Sequence, residues 1–401
     1  MKSLRYLYKI GRGPSSSHTM GPEKACRIFL KRYPQADEYE ATLLGSLSAT
    51  GKGHLTDEVI RETFAPGKVT VIFGDTDESK LLHPNTLILK AKSGGSVVGK
   101  SEVYSVGGGE IVFKGEKQNA AEEIYPHKTF DEIKEFCIEN SLKLWQYAEI
   151  FEGGEIWNFL QNIWENMQNC VLRGLKTDGV LSGGLNTRRK AKILYDQYVL
   201  NEGTETRENR LVCAYAYAAS EENASGGVVV TAPTCGSCGV LPAVFYYLKN
   251  KKDVPDKEIL KGLATAGIIG NVVKTNASIS GAECGCQAEV GVACAMASAA
   301  IAQIKGMSLD QIEYAAEIAV EHHLGLTCDP ICGLVQIPCI ERNAVAALRA
   351  LNEVTLASFL SDTRKITFDT AVKTMYETGK DLRTGYRETA TGGLAKLYSE
   401  K

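Results

Sequence analysis

The sequence lacks an excess of charge of either sign. Its 401 residues include 45 Lys and Arg against 48 Asp and Glu, which gives a formal net charge of −3. The two signs alternate within short stretches such as "KNKKDVPDKE" at 249–258. We therefore expect no basic surface of the kind that binds nucleic acid or an anionic membrane, and a small molecule is the expected partner.

Long hydrophobic runs are also missing. The opening segment "MKSLRYLYKIGRGPSSSH" (1–18) has too short an apolar run for a signal peptide, and it lacks a small-residue cleavage site. The longest uncharged candidate span, "VGVACAMASAAIAQI" at 290–304, falls short of the roughly 20 residues that cross a bilayer. The sequence therefore predicts a cytosolic protein without a membrane span and a buried helix at 290–304.

Repeats, heptad arrays and low-complexity segments are absent too, which argues against solenoids and coiled coils. What is present is ordinary globular composition, with 44% hydrophobic residues. At roughly 150 residues per domain, a chain of this length is expected to form two or three domains.

The first part of the chain is typical of a small α+β domain. β-rich runs occur at 68–74 ("KVTVIFG") and 85–92 ("NTLILKAK"), and 101–115 predicts two strands joined through a triple glycine. This pattern predicts an α+β domain over 1–120. The next stretch, with Pro126 and no clear periodicity, predicts a linker or neck over 121–150.

Beyond the linker the periodicity becomes helical. The segments 131–151 and 155–176 place apolar residues at every third or fourth position. Later segments are rich in Gly and Ala, as expected where helices approach closely in a buried bundle. The sequence therefore predicts an all-α domain over 151–401, and a multidomain α+β protein as a whole.

Two histidines lie in glycine-rich surroundings. "GRGPSSSHTMGP" (11–22) contains His18 among hydroxyl side chains that could line an anion site, and "SATGKGHLTD" (48–57) contains His54 ahead of a predicted helix. Histidine has the unperturbed pKa nearest to neutral pH, so each is a candidate general acid or base. The alternative is a solvated surface histidine.

Twelve cysteines are expected to be reduced thiols in the cytosol, and eight of them fall between 235 and 339. One interpretation is a zinc site of Cys235, Cys238, Cys284 and Cys286, although the CxC spacing fits a structural zinc site poorly. Another is an iron–sulfur cluster held by three thiolates, whose remaining iron could act as a Lewis acid. The spacing alone leaves both open.

Six segments, in order along 11–395, resemble the single-chain iron–sulfur L-serine dehydratases of bacteria. They are "GPSSSHTMGP", "GKGH", "YSVGGGEI", "KTNASISGAECGCQAEVG", "EHHLGLTCDPICGLVQIPCIERNA" and "YRETATGGLA". The resemblance implies elimination of water from L-serine to give pyruvate and ammonia, in a homodimer. It also implies that the small domain resembles the regulatory substrate-binding domain of some phosphoglycerate dehydrogenases.

The same resemblance assigns residues. It implies that Cys286, Cys328 and Cys339 hold a [4Fe–4S] cluster and that Cys332 does not. It places His18 and His54 in the active site without saying which of them removes the α-proton. The expected substrate-binding residues are hydroxyl side chains of the first motif and two residues near the cluster, namely Ser15, Ser16, Ser17, Thr19, Asn276 and Ser278.

Other functions remain open on the sequence. The same chemistry could act on L-threonine, another 3-hydroxy amino acid or L-cysteine. A pyridoxal-phosphate lyase would need an imine-forming lysine and a phosphate-binding glycine loop, and no lysine stands out. A non-catalytic metal or iron–sulfur sensor is the alternative outside enzymes, although no DNA-binding motif accompanies the cysteines.

Overall fold

The N-terminal part of the protein is built around a five-stranded sheet. The structure is a computed structural model that describes residues 1–116 and 122–399. The sheet has the order β3-β2-β4-β5-β6, and a second, two-stranded sheet pairs β1 with β7. The strands are β1 Ile10–Arg12, β2 Glu38–Gly45, β3 Lys68–Phe73, β4 Asn85–Ser93, β5 Ser96–Ser105, β6 Ile111–Phe113 and β7 Val228–Val230.

Helices make up most of the remainder. They are α1 Gly21–Arg32, α2 Ser46–Thr50, α3 Thr56–Phe64, α4 Phe130–Glu139, α5 Leu144–Glu152, α6 Ile156–Lys176, α7 Ala191–Asp196, α8 Thr204–Ala224, α9 Val240–Lys251, α10 Asp256–Asn276, α11 Gly281–Cys284, α12 Val290–Ile304, α13 Leu309–Glu321, α14 Cys339–Leu360, α15 Phe368–Asp381 and α16 Gly393–Ser399. A small sheet domain followed by a helical part is the predicted architecture, and this arrangement is confirmed.

The five-stranded sheet buries one face against helices. In β2, buried and less buried residues alternate, as expected for a strand with one face in a core. Its inward side chains, including Leu43, pack with Phe29 of α1 and Ile60 of α3. β2 and β3 are parallel, whereas the other neighbouring strands of this sheet are antiparallel. The strands predicted at 68–74, 85–92 and 101–115 are confirmed.

Helix α12 forms the centre of the helical part. It packs against α10, α13 and α14, and nearly every one of its residues is buried, which confirms the predicted buried helix at 290–304. Within the described residues, two stretches could cross a membrane by length and composition alone: Cys286–Ile304, of which 89% is buried inside the protein, and Cys339–Thr363, of which 39% is buried.

The helical part also contains a strand, so the predicted all-α composition of 151–401 is wrong at this point. The β-branched run Val228–Val230 forms β7 because β1 supplies an antiparallel partner, with Ile10 opposite Val230. The first residues of the chain also pack into the helical part. Leu4, Leu7 and Tyr8 are buried in the core of the helical part rather than under the five-stranded sheet.

The predicted linker contains secondary structure. Helix α4 lies within 121–150, and α5 begins within this range and ends two residues beyond it. Helix α5 packs against α10. Thr129 begins α4 with a reciprocal capping box, in which its side chain and that of Glu132 each accept a backbone N–H. The predicted boundary between residues 120 and 121 lies outside the described residues, and the domain limits stay predictions.

Candidate active site

The first histidine motif forms a turn rather than an open loop. Residues Ser16–Met20 make one turn of π-helix that leads directly into α1. Ser15 begins this turn, because its hydroxyl accepts the backbone N–H of His18 at 3.1 Å. All four predicted hydroxyl residues of the motif, Ser15, Ser16, Ser17 and Thr19, are buried. Local capping therefore fixes His18 inside the protein.

The hydrogen bonds of His18 identify its neutral tautomer. Ser46 donates its single hydroxyl proton to the backbone carbonyl of Glu388 at 2.9 Å, so it must accept a proton from Nε2 of His18 at 3.0 Å. Nδ1 is then the unprotonated nitrogen, 2.9 Å from the Ser17 hydroxyl. Complete burial, followed by the proximity of His54, lowers the pKa of His18 well below its usual value.

His54 lies beside it in the turn after α2. Its Nδ1 donates to the backbone carbonyl of Thr50 at 3.0 Å, which leaves Nε2 as the unprotonated nitrogen. The two imidazole centroids are 4.5 Å apart. Burial lowers the pKa of His54 to about 4. The structure therefore brings the two predicted histidines together, both neutral at physiological pH.

Two threonines fix the histidine-bearing turns to each other. Thr19 donates its hydroxyl to the carbonyl of His54 at 2.7 Å, and Thr56 donates to the carbonyl of His18 at the same distance. Thr19 therefore positions the His54 turn, and its hydroxyl proton is already used there.

A glutamate that sequence reasoning missed joins the histidines. One oxygen of Glu388, Oε1, lies 3.6 Å from Nδ1 of His18 and 3.7 Å from Nε2 of His54. These are the two unprotonated nitrogens, so one carboxylate oxygen lies near both of them. The three groups are thus arranged to share a proton. The only sequence signal was the position of Glu388 within "YRETATGGLA", to which no role was assigned.

The C-terminal segment positions Glu388 by backbone pairing with the segment that contains Cys328. The backbone N–H of Glu388 donates to the carbonyl of Cys328 at 2.8 Å, and the N–H of Cys328 donates to the carbonyl of Tyr386 at 2.7 Å. Glu388 itself adopts a left-handed conformation with φ of 58°, which costs a non-glycine residue energy. Backbone pairing holds the carboxylate in position despite this cost.

The three predicted ligand cysteines converge on the same enclosed cavity. Cys286 follows α11, Cys339 begins α14, and Cys328 lies on the segment paired with Tyr386. All three are buried and line one cavity together with His54 and Glu388. A hydrogen bond with Cys286, then burial, raises the pKa of Cys328, whereas burial and then Cys286 raise that of Cys339.

The remaining clustered cysteines do not join this group. Cys332 is exposed, as its predicted exclusion from the ligand set requires. Cys235 and Cys238 are buried in the core of the helical part, and Cys284 packs against α15 at Gly379. Among the described residues, the four thiols considered for a zinc site do not form a metal-binding group.

The surroundings of the three thiols suit an iron–sulfur cluster. Three deprotonated thiols in a buried site need a compensating positive charge. Arg342 interacts electrostatically with all three and is held in place by Asp329 at 3.1 Å. Gly281 approaches this group closely, because an added Cβ would lie 3.2 Å from the sulfur of Cys328, so a larger residue would crowd the thiol. Thiolate donors with few other ligands are typical of iron–sulfur sites.

A second glutamate lies beside the thiols. A carboxylate oxygen of Glu289 and the sulfurs of Cys286 and Cys328 lie within 4.8 Å of one another. Burial raises the pKa of Glu289 to about 7, against the opposing hydrogen bond from Thr234 at 2.6 Å. Its signal in the sequence is its position three residues after Cys286, and no role was predicted for it.

The predicted substrate-binding residues separate into two groups. Ser15 lines the cavity, and Ser17 lies against it with its hydroxyl 3.2 Å from that of Ser15. Asn276 and Ser278 do not line the cavity. Asn276 is exposed and donates to the carbonyls of Lys128 and Val272, and Ser278 donates to Glu283.

Comparison with known proteins agrees with this site. A family model described as "Serine dehydratase alpha chain" matches residues 105–395, and one described as "Serine dehydratase beta chain" matches residues 3–65. The chain therefore belongs to the serine dehydratase family. Both histidines fall in the segment matched as beta chain, and the three cysteines fall in the segment matched as alpha chain.

Curated relatives cover nearly the whole chain. The chain is 40% identical to an L-serine dehydratase of Haemophilus influenzae, with 98% of this chain and 99% of that protein covered. It is 39% identical to L-serine dehydratase 2 of Escherichia coli, with 98% of each chain covered. An L-serine dehydratase of Helicobacter pylori is 38% identical over 98% of each chain.

Proposed function

We propose that the protein is a lyase that eliminates water from L-serine to give pyruvate and ammonia. The observation that carries this proposal is one enclosed cavity lined both by the three cysteines and by His54. Full-length similarity to proteins named L-serine dehydratase supports the same substrate. The cavity would hold a [4Fe–4S] cluster on Cys286, Cys328 and Cys339.

Elimination requires removal of an α-proton and departure of a hydroxyl group. When bound, the cluster supplies an open iron that acts as a Lewis acid toward the β-hydroxyl. His54 is the proposed base, because its unprotonated Nε2 belongs to the residue that lines the cavity, whereas His18 lies behind it. Glu388 faces both rings and would pass the proton on toward Nδ1 of His18.

The other residues position the substrate and exclude water. The Ser15 hydroxyl would donate to the substrate carboxylate from the cavity wall, with Ser16, Ser17 and Thr19 holding the turn around it. The aminoacrylate released by elimination tautomerises and hydrolyses without further catalysis. Burial of the whole site keeps the base desolvated and neutral until substrate arrives.

The experiment is an anaerobic assay of pyruvate release on protein whose iron and sulfide are quantified. Wild type should hold about four irons and four sulfides per chain and turn over L-serine. Cys339→Ala should lose both cluster and activity, whereas the exposed control Cys332→Ala should keep both. A loaded wild type that leaves L-serine, L-threonine and L-cysteine unchanged would refute the lyase and favour a sensor.

Assembly and location complete the proposal. A homodimer and a cytosolic location rest on the resemblance and on the sequence composition. Sedimentation of the anaerobic protein at two concentrations measures the first, and fractionation of the producing cells measures the second.

A further inference from the structure

Glu289 is a carboxylate with too few partners for its position. It is partly accessible and lines the cavity, and among the described residues its hydrogen-bond donor is the hydroxyl of Thr234 at 2.6 Å. Of the described residues that line this cavity, none is lysine or arginine. A carboxylate that is largely removed from water and has a single neutral donor is costly. We expect this carboxylate to bind a cationic group when a ligand occupies the cavity.

The proposed substrate brings that cation. An α-amino acid carries an ammonium group, which loses its hydration when it enters an enclosed cavity and needs an anionic acceptor there. The cavity offers two carboxylates. Glu388 already faces the unprotonated nitrogens of His18 and His54 at 3.6 and 3.7 Å. Glu289 lies with the thiols instead, with a carboxylate oxygen within 4.8 Å of the sulfurs of Cys286 and Cys328.

The two carboxylate oxygens of Glu289 have different neighbours. Thr234 holds Oε1, whereas Oε2 points toward Gly281. A Cβ added at position 281 would lie only 2.6 Å from Oε2, so any larger residue there would occupy the space beside this oxygen. Glycine at this position keeps a side chain away from Oε2 of Glu289 and from the sulfur of Cys328.

We propose that Glu289 binds the α-ammonium group of the substrate and so makes the site selective for amino acids over the corresponding acids without an amino group. This inference rests on the proposed function. With the ammonium at Glu289 beside the thiols, the α-carbon lies between Glu289 and His54. The carboxylate of the substrate then binds at Ser15, on the side of the cavity that carries the hydroxyl groups.

The test compares two unreactive probes that differ only in the amino group. L-Alanine and propionate are titrated calorimetrically into the anaerobic, cluster-loaded wild type, Glu289→Gln and Glu353→Gln. Glu353 is a matched control, because it is a buried carboxylate outside the cavity that accepts hydrogen bonds from Cys294 and Ser298. KM and kcat for L-serine, together with iron and sulfide content, are measured on the same preparations.

We expect Glu289→Gln to weaken L-alanine binding and raise the KM for L-serine about 10- to 100-fold. Propionate binding should change less than about twofold, because propionate has no ammonium group. Glu353→Gln should bind both probes as wild type does. Thr234→Val, which removes the donor to Oε1, should weaken L-alanine binding in the same direction and is the deciding variant if Glu289→Gln cannot hold its cluster.

Three results would overturn the inference. If L-alanine affinity and the KM for L-serine are unchanged in Glu289→Gln, the ammonium binds elsewhere. The same result in Thr234→Val has this meaning when Glu289→Gln cannot hold its cluster. A fall in kcat with unchanged probe affinities would assign Glu289 to proton transfer. Equal weakening of L-alanine and propionate would mean a general disturbance of the cavity. An inactive, cluster-loaded wild type would instead refute the proposed function.

Discussion

At the scale of single residues, the site depends on a carboxylate shared by two imidazoles. The tautomers assigned from Ser46 and Thr50 leave the two ring nitrogens nearest to Glu388 unprotonated. Three groups that would each be weak bases alone can therefore exchange one proton over distances below 4 Å. In the proposed mechanism, His54 takes the proton and the neighbouring Glu388 and His18 hold it.

Replacing Glu388 by Gln should lower kcat for L-serine about 100-fold, because the amide cannot accept the proton that reaches the histidines. The cluster should be retained, since the contact from Glu388 to Cys328 uses the backbone. Anaerobic kinetics with iron analysis measure both. The control Glu341→Gln removes an exposed carboxylate from α14 and should leave kcat unchanged; equal kcat in the two variants would contradict the shared-proton arrangement.

The pH profile tests the neutral state of His54. Because burial lowers its pKa to about 4, the ring stays deprotonated well below the ordinary histidine pKa of 6.5. The acid limb of kcat/KM should therefore lie below pH 6. The unfolded chain takes up this proton first, so the free energy of unfolding should also decrease as the pH falls from 6.5 toward 4. An acid limb at pH 6.5 or above would show that burial does not lower the pKa of the ring that acts as the base.

At this scale the sequence predicts the type of chemistry, but it does not predict every residue that lines the site. The histidines and cysteines are rare residue types in distinctive motifs, and all five come together. Glu289 and Glu388 are two of 48 acidic residues, and their roles come from contacts between segments far apart in the chain. Asn276 falls outside the cavity because its amide completes the end of α10, a local use that the motif does not show.

At the scale of elements, the position of Cys286 depends on how α11 packs against α15. The two helices meet at Gly379, where an added Cβ would lie 2.7 Å from both Cβ and Sγ of Cys284. Periodicity predicts such helices, but it does not predict which residue allows them to approach closely. The short strand β7 illustrates the same limit, since it exists because the distant β1 pairs with it.

Substituting Gly379→Ala should force α11 away from α15 and cost about 1–3 kcal/mol of stability. The displacement should reach Cys286, which follows α11 directly, so iron retention should fall as well. Thermal unfolding and iron content after gel filtration measure the two effects. Lys373→Ala, at an exposed position of the same helix, is the control; a Gly379→Ala variant with the stability and iron content of this control would show that the contact adapts without strain.

At the scale of the whole molecule, the chain crosses twice between its two parts. The first residues lie in the helical core before the chain enters the small domain, and residues after α15 return to the histidines at Glu388. Composition and periodicity divide the chain at one boundary, because they follow sequence order. The apolar residues Leu4, Leu7 and Tyr8 show no pattern that identifies the distant core they join.

Leu4→Ala should therefore destabilise the helical part by about 2–5 kcal/mol, the usual cost of emptying a fully buried leucine site. Thermal unfolding followed by circular dichroism measures this loss. Lys24→Ala changes an exposed residue of α1 and should unfold as wild type does. Equal stability of the two variants would mean that the N-terminal segment contributes no packing energy.

The pairing of β1 with β7 has a consequence for a divided chain. If the polypeptide were expressed as two pieces, separated between residues 116 and 122, each piece would carry half of the catalytic groups and one strand of the two-stranded sheet. The apolar side chains among residues 1–8 would be buried only when the first piece packs against the second. We expect the pieces to reassemble without a covalent bond, so that turnover of L-serine would report fragment complementation.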